Sequence, residues 1–181
     1  MQKIISLFKR DYDGDRLVYD EVVPGAEWVL AGEGVATRKW DGTCCMVRDD
    51  ILYKRYTVKK GRLAPLTFEA ATAVDAKTGK QEGWVPVSDD DPGDQWHREA
   101  FARDVYPDGT YELVGPKVQG GVEGREKHAL LLHGYHHVPD VYRSFEGIKA
   151  YLDDGGIEGI VWHHPDGRMV KIKTRDFGAN R

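Results

Sequence analysis

Short strand-like segments dominate this chain, and they constrain its fold more than any other feature. Nine runs rich in β-branched, aromatic and aliphatic residues are separated by clusters of Gly, Pro or Asp. The predicted strands are Ile4–Phe8, Glu27–Leu30, Val35–Trp40, Thr43–Arg48, Ile51–Tyr56, Thr110–Val114, Ala129–Tyr135, Gly159–Trp162 and Arg168–Ile172. Strands that follow one another with few helices between them favour an α+β protein with two antiparallel sheets and flanking helices.

Two segments have the apolar periodicity of helices. The first follows Asp94, and its apolar face is formed by Trp96, Ala100, Phe101 and Val105. The second begins after the N-cap residue Ser144, ends at Gly155–Gly156 and carries the apolar stripe Phe145, Ile148 and Leu152. A weaker helical pattern covers Thr67–Val74.

Composition predicts a single globular domain over residues 1–181. Hydrophobic residues make up 40% of the chain and charged residues 31%, which are ordinary values. No apolar stretch is long enough to cross a membrane, and the N-terminal residues lack a signal-peptide pattern, so a cytoplasmic protein is expected. The net charge of −4 argues against a protein that wraps duplex DNA, but it leaves room for a local basic groove.

The two cysteines, Cys44 and Cys45, are adjacent. A disulfide between neighbouring residues is strained, and two cysteines are too few for a closed zinc site. We therefore expect two buried thiols and no structural zinc.

The clearest local geometry lies near the end of the chain. Asp166-Gly167 is a typical two-residue hairpin loop, and with that loop the numbers of paired residues sum to 333. Lys173 then lies opposite Ile160, with Glu158 diagonal to it on the same face. One acid and two lysines, Lys171 among them, are thus predicted to point into one space.

Three further patterns are each common alone but informative in their order. Lys39-Trp40-Asp41-Gly42 ends a predicted strand, and Tyr111–Gly115 carries a lone acid inside an apolar strand. Glu158–Trp162 repeats the second pattern and is followed by Lys171-Ile172-Lys173.

In this order the motifs resemble those of the covalent nucleotidyltransferase superfamily, which comprises DNA ligases, RNA ligases and mRNA capping enzymes. The KxDG at Lys39 is similar to motif I, Lys54-Arg55 to the short basic element that follows, and Tyr111–Gly115 to motif III. The last two segments are similar to motifs IV and V. The stretches ATRKWDGT, DQWHREAF and YELVGPKVQGG resemble compact RNA ligases in particular. The resemblance implies a nucleotidyltransferase core, the ATP-grasp-like adenylation fold of ligases.

The resemblance also implies roles for the residues that chemistry needs. Lys39 would carry the nucleotide, which requires a deprotonated amine although a free lysine has a pKa of about 10.4. Lys171 and Lys173 would hold the α-phosphate and orient pyrophosphate. Glu158 would bind a metal ion, Mg²⁺ or Mn²⁺, and Glu112 would accept from a ribose hydroxyl.

Further contacts are implied with less direct motif support. Nucleotide contacts are expected from Thr37, Gly42 and Arg55, the last of which would reach the ribose or the phosphate of the accepting strand. The residue that stacks on adenine is expected in the strand Ala129–Tyr135, where His133 and Tyr135 are the candidates. We choose His133. The alternative role for His133 is that of a hydrogen-bonded core histidine. Contacts with nucleic acid are predicted for Lys54, Lys117 and Arg175.

The implied function is an ATP-dependent RNA ligase that joins 5′-phosphate and 3′-hydroxyl RNA ends through a lysyl-AMP intermediate, with a role in RNA repair. Only residues 174–181 follow motif V, so we expect no appended OB domain. Either the core alone then recognises RNA, or an accessory RNA-binding partner supplies the clamp. Two alternatives stay open: a capping-type guanylyltransferase or other nucleotidyltransferase, and a non-catalytic nucleotide- or RNA-binding domain.

Overall fold

The computed structural model describes residues 4–179 and is a mixed α+β structure with few helices, as predicted. Its strands are β1 Ile5–Ser6, β2 Phe8–Arg10, β3 Val18–Val22, β4 Val35–Lys39, β5 Thr43–Arg48, β6 Ile51–Val58, β7 Glu69–Ala70, β8 Gln81–Pro86, β9 Gly109–Val114, β10 Ala129–Leu132, β11 Gly159–His163 and β12 Met169–Lys173. Its helices are α1 Glu27–Leu30, α2 Gln95–Phe101 and α3 Phe145–Gly155, with 3₁₀ turns at Pro92–Asp94, Gln119–Gly121 and Thr174–Phe177. Among residues 4–179, no helix has the length and apolarity needed to cross a membrane.

The chain forms two compact units, each with its own sheet and hydrophobic core. The central unit is Asp41–His133, and the terminal unit consists of residues 4–40 and 134–179. The chain therefore leaves the terminal unit directly after Trp40 and re-enters it at Gly134. A single domain over residues 1–181 stays a prediction.

The central unit contains a fully antiparallel six-stranded sheet with the strand order β10-β9-β5-β6-β8-β7. Its inner face packs against α2 through a core of Cys45, Val47, Leu52, Ala100, Tyr111, Leu113, Val118 and Leu130. Residues of the opposite parity, including Cys44 and Glu112, point to the other face because side chains alternate along a strand.

The terminal unit contains a four-stranded sheet with the order β1-β12-β11-β4 and a separate β2-β3 pair. Its core includes Ile160, Trp162, Val170 and Ile172 from the sheet and Ile148 and Leu152 from α3. The prediction of purely antiparallel sheets was wrong here, because β1 pairs with β12 in parallel. The predicted strand Ile4–Phe8 is divided between two sheets: Ile5–Ser6 joins β12, whereas Phe8–Arg10 joins β3.

Several predicted elements were wrong. Glu27–Leu30 is the short helix α1, whose four residues are too few for apolar periodicity to distinguish helix from strand. Thr67–Val74 is not helical and contains the edge strand β7, and Val105 lies beyond α2 with 86% of its surface exposed. Two strands were missed, β3 and β8.

The hairpin between β11 and β12 differs from its predicted register by one residue. His164 N donates to Arg168 O, so Pro165-Asp166-Gly167 forms a three-residue loop, and the paired numbers sum to 332. Gly167 has φ of 93°, the positive value that the third position of such a loop requires. Lys173 therefore pairs with Gly159 and Lys171 with Val161, in place of the predicted Ile160 and Trp162.

Candidate functional site

Three lysines project from one face of the four-stranded sheet. Gly159 on β11 lies opposite Lys39 on one side and Lys173 on the other. Directly opposed residues share a face, and so does Lys171, two residues before Lys173. A Cβ added at Gly159 would lie 2.1 Å from Ile172 O, so the strand approaches its neighbour too closely for any other residue.

The Glu158 carboxylate joins two of these lysines. Its Oε2 lies 2.5 Å from Lys39 Nζ, and its Oε1 lies 2.5 Å from Lys173 Nζ. The three side chains are only 11–20% exposed, so solvent screens these ion pairs little. Glu158 and Lys173 are thus close together, as predicted, although the register differs. Glu158 precedes the first residue of β11, so the alternation of that strand does not set its side-chain direction.

The ammonium group of Lys171 is destabilised by its surroundings. Burial lowers its pKa below the usual 10.5, and the positive charges of Lys173 and Lys39 lower it further. Lys39, Lys171 and Lys173 thus outnumber the two carboxylates that act on Lys171, those of Asp176 and Glu158, and the sheet face carries a net positive charge. Such a face suits the phosphates of a nucleotide.

The 3₁₀ turn after β12 fixes the backbone at Ile157 and Glu158 through hydrogen bonds. Thr174 Oγ1 donates to Ile157 O at 2.6 Å, and Thr174 N donates to Glu158 O at 2.9 Å. Asp176 accepts from Lys173 N at 3.0 Å through one oxygen and from Arg10 through the other. Thr174 and Asp176 are buried polar residues. None of these three supporting side chains was predicted, although Thr174 and Asp176 lie within three residues of the KIK motif.

Thr37, predicted to contact nucleotide, is buried at 2% exposure on the same strand as Lys39. Its hydroxyl donates to Val161 O at 3.1 Å and lies 3.0 Å from His163 Nε2. The hydroxyl is therefore engaged within the terminal unit, and a nucleotide contact by Thr37 stays a prediction.

In the central unit, the predicted ribose ligand Glu112 is paired with a histidine. Its Oε2 lies 2.8 Å from His133 Nε2, and His133 Nδ1 lies 3.0 Å from Thr110 Oγ1. Both ring nitrogens are therefore in hydrogen bonds, which is the alternative considered for His133. Stacking of His133 on adenine stays a prediction.

Gly42 packs closely against β9, the strand that carries Glu112. A Cβ added to Gly42 would lie 2.2 Å from Leu113 O and 2.8 Å from Glu112 Cγ. Its neighbour Asp41 donates its backbone N–H to Glu123 Oε1 at 2.8 Å. These contacts fix the backbone of Asp41 and Gly42, and a nucleotide contact by Gly42 stays a prediction.

The basic pair on β6 points to opposite faces of the six-stranded sheet. Lys54 lies opposite Cys45 on the core side, and its Nζ is 2.5 Å from Asp94, which is 2% exposed. Arg55 points to the face of Glu112, contacts Glu82 at 3.3 Å and lies over the ring of Trp84. A nucleic-acid contact by Lys54 and a nucleotide contact by Arg55 stay predictions.

The two remaining predicted RNA contacts are exposed. Lys117 follows β9, and its backbone N–H donates to His128 Nε2 at 3.3 Å. Arg175 lies in the 3₁₀ turn after β12. Exposed basic side chains are available to phosphate, but position alone assigns neither one a role.

The donors around Lys39 fit a divalent metal ion only together with phosphate. Both oxygens of Glu158 are bound by lysine ammonium groups, and the surrounding charge is positive. Mg²⁺ prefers oxygen ligands and is commonly held by one or two carboxylates together with substrate phosphates. A triphosphate brings those oxygens with it, so Glu158 fits a metal–nucleotide complex better than a bare cation.

Comparison with known proteins places this geometry in context. No protein-family model matches the chain. Proteins named RNA ligase 1 are similar to it: that of Pongo abelii is 28% identical over 140 residues, covering 56% of this chain and 42% of that protein. That of Rattus norvegicus is 24% identical over 222 residues, covering 80% and 67% respectively, and that of Danio rerio is 34% identical over 80 residues, covering 38% and 24%. The chain thus spans less than half of the Pongo abelii protein.

Proposed function

We propose that this chain is an ATP-dependent RNA ligase that joins 5′-phosphate and 3′-hydroxyl ends through a lysyl-AMP intermediate on Lys39. The observation that carries the proposal is the lysine face, where Glu158 bridges Lys39 and Lys173 at 2.5 Å each and Lys171 adds a third positive charge. The similarity to proteins named RNA ligase 1 supports the same activity.

The first step is a substitution at the α-phosphorus of ATP. The Lys39 Nζ–Pα bond forms, the bond from Pα to the bridging oxygen of the β-phosphate breaks, and pyrophosphate leaves. The ammonium group of Lys39 loses one proton to solvent before the attack, and the amine loses a second proton as the bond to Pα forms. Glu158 Oε2, in hydrogen-bond contact with Lys39 Nζ, accepts the second proton. Lys171 and Lys173 neutralise charge on the phosphates, which is the main source of rate in phosphoryl transfer.

Two further transfers complete the reaction. AMP passes from Lys39 to the 5′-phosphate of one RNA end, which frees the amine and forms a new phosphoanhydride. The 3′-hydroxyl of the other end then attacks that 5′-phosphate and AMP leaves. Mg²⁺ or Mn²⁺, when bound with the nucleotide, adds neutralising charge, and Glu158 is the residue that would hold it. On the resemblance alone, Glu112 is assigned to the ribose, and Arg55 to the ribose or the phosphate of the accepting strand. An accessory partner is likewise assigned to RNA clamping.

Covalent labelling tests the first step directly. The protein is incubated with Mg²⁺ and ATP or GTP labelled at the α-phosphate, and an acid-sensitive, base-stable protein adduct is measured. We expect label from ATP and none in Lys39→Ala. Lys149→Ala is the matched control, because Lys149 is a partly exposed lysine on α3. Among the contacts of its ammonium group that the structure describes, it pairs only with Asp153. Label that persists in Lys39→Ala contradicts the choice of nucleophile.

The same assay separates the alternatives. Label from GTP alone indicates a guanylyltransferase, and absence of label from either nucleotide across metals and pH indicates a non-catalytic binding domain. Sealing of a broken RNA with 5′-phosphate and 3′-hydroxyl ends, compared with DNA of the same sequence, then tests the acceptor. Sealing of DNA in preference to RNA overturns the RNA ligase proposal.

A further inference from the structure

Cys44 belongs to a cluster of three metal-ligating side chains that the proposed function leaves unexplained. Cys44 on β5 lies directly opposite Glu112 on β9, so both point to the same face of the six-stranded sheet. His133 follows β10 on the other side of β9. One ligand atom from each residue lies within 4.8 Å of the other two.

Two side chains of the cluster are largely buried, and a hydrogen bond fixes the ring of His133. The side chains of Glu112 and His133 are only 12% and 23% exposed. Thr110 Oγ1 lies 3.0 Å from His133 Nδ1, so it can accept a hydrogen bond from Nδ1–H when a metal ion replaces the proton between His133 Nε2 and Glu112. This is the orienting contact that metal-binding histidines usually make through their second nitrogen.

We propose that Cys44 Sγ, a Glu112 carboxylate oxygen and His133 Nε2 bind one thiophilic divalent ion, Zn²⁺ by the chemistry of the ligands. One thiolate, one imidazole and one carboxylate suit Zn²⁺, whereas Mg²⁺ takes oxygen ligands. Three protein ligands leave the fourth tetrahedral position to water. The expectation that neither cysteine has a metal role is thereby revised for Cys44.

Binding exchanges protons for the metal ion. The Cys44 thiol loses its proton when the Zn–S bond forms, and the ion takes the place of the proton shared between His133 Nε2 and Glu112 Oε2 at 2.8 Å. Occupancy therefore falls as the pH is lowered. No oxidant or reductant takes part.

The site has a regulatory consequence, which rests on the proposed function. Glu112 is the residue assigned to the ribose, and its carboxylate cannot accept from a ribose hydroxyl through an oxygen that binds Zn²⁺. Zn²⁺ at this site therefore competes with ATP and raises the apparent KM for ATP without lowering kcat.

Cobalt substitution tests the site without reference to activity. Co²⁺ is titrated into untagged protein, and a thiolate-to-cobalt charge-transfer band and a stoichiometry of one ion per chain are expected. Cys44→Ser, which preserves side-chain size, should lose the band and at least about tenfold in Zn²⁺ affinity measured by chelator competition. Cys45→Ala is the matched control, since Cys45 is fully buried on the opposite face and should leave the band intact. A band that survives in Cys44→Ser or disappears in Cys45→Ala overturns the site, as does a protein with no band.

Competition is measured separately. The rate of lysyl-AMP formation is recorded against ATP with and without Zn²⁺ at constant excess Mg²⁺, and the Zn²⁺ effect on KM should disappear in Cys44→Ser. If no lysyl-AMP label forms but the cobalt band is present, the proposed function is wrong and the metal site is supported. If labelling occurs with no cobalt band, the metal site falls alone.

Discussion

Gly159 and Lys173 lie directly opposite each other, and a Cβ added to Gly159 would come within 2.9 Å of Lys173 Cα. The same Cβ would be 2.1 Å from Ile172 O, so β12 must move to admit it. We expect Gly159→Ala to destabilise the protein by about 1–3 kcal/mol, the usual cost of overpacking, and to reduce lysyl-AMP formation because Lys173 moves. Gly155→Ala is the control, since its added Cβ meets nothing closer than 3.7 Å. Equal stability and labelling in the two variants would contradict this prediction.

Thr174 should act on chemistry through Glu158. Thr174→Val removes the donor to Ile157 O and leaves a buried carbonyl unpaired, at a cost of about 1–3 kcal/mol. Thr174→Ser keeps the hydroxyl and is expected to retain most activity. Because Thr174 positions Glu158 and touches no phosphate in this mechanism, the loss in Thr174→Val should fall on kcat more than on KM for ATP. A variant with normal kcat would show that the hydroxyl has no positioning role.

Lys171 is expected to lower the stability of the folded protein while it contributes to phosphate binding. Its pKa is lowered from 10.5 by burial and by the charges of Lys173 and Lys39, so the unfolded chain binds more protons between the lowered value and 10.5. Stability due to this group therefore rises with pH through that window, and the full penalty is present below it. Lys171→Met should raise the melting temperature at neutral pH while lowering lysyl-AMP formation about 10²-fold or more.

Chemical denaturation at several pH values checks the Lys171 prediction. The stability difference between Lys171→Met and the unmodified protein should shrink as the pH approaches 10.5. A variant that is less stable at neutral pH would show that the ammonium group is stabilising.

His97 should make the central unit sensitive to acid. Burial lowers its pKa below 6.5, the effect of Asp94 being opposite and smaller, and neither ring nitrogen has a hydrogen-bond partner among residues 4–179. Its contribution to stability is therefore fully present above 6.5 and is lost as the pH falls from there through the folded-state pKa. His97→Leu should flatten the decrease in unfolding free energy below 6.5, whereas His137→Gln, at an exposed histidine, should not. Identical slopes in the two variants would exclude His97 as the cause.

Local signals predicted those parts of the fold that local interactions stabilise. Ser144 caps α3 by accepting from Gly147 N at 3.1 Å, and Gly156 ends the helix in the left-handed conformation, as its sequence indicates. The short segment Glu27–Leu30 carries no comparable signal and was assigned to the wrong class. The parallel pairing of β1 with β12 joins residues at opposite ends of the described chain, which no local pattern encodes.

In the candidate site, too, some features were predicted from local sequence and others were not. The order of motifs predicted that Lys39, Lys173 and Glu158 act together, and side-chain alternation predicted which lysines share a face. Thr174 and Asp176 lie close to the two lysines in sequence and were open to prediction. Arg10 was not, because it reaches Asp176 across 166 positions of sequence. A one-residue error in the hairpin register also followed from choosing a two-residue loop where Gly167 permits three.

Because the chain leaves the terminal unit after Trp40 and re-enters it at Gly134, the two parts of that unit are synthesised at different times. A ribosome releases Lys39 before the whole central unit, and β12 with its two lysines follows more than a hundred residues later. At ordinary rates of synthesis, that interval is on the order of ten seconds. A nascent chain can therefore fold its six-stranded sheet while Lys39 still lacks the adjacent strand β11 and the strand β12 beyond it. The proposed reactivity of this lysine is thus expected only in chains that have completed the hairpin.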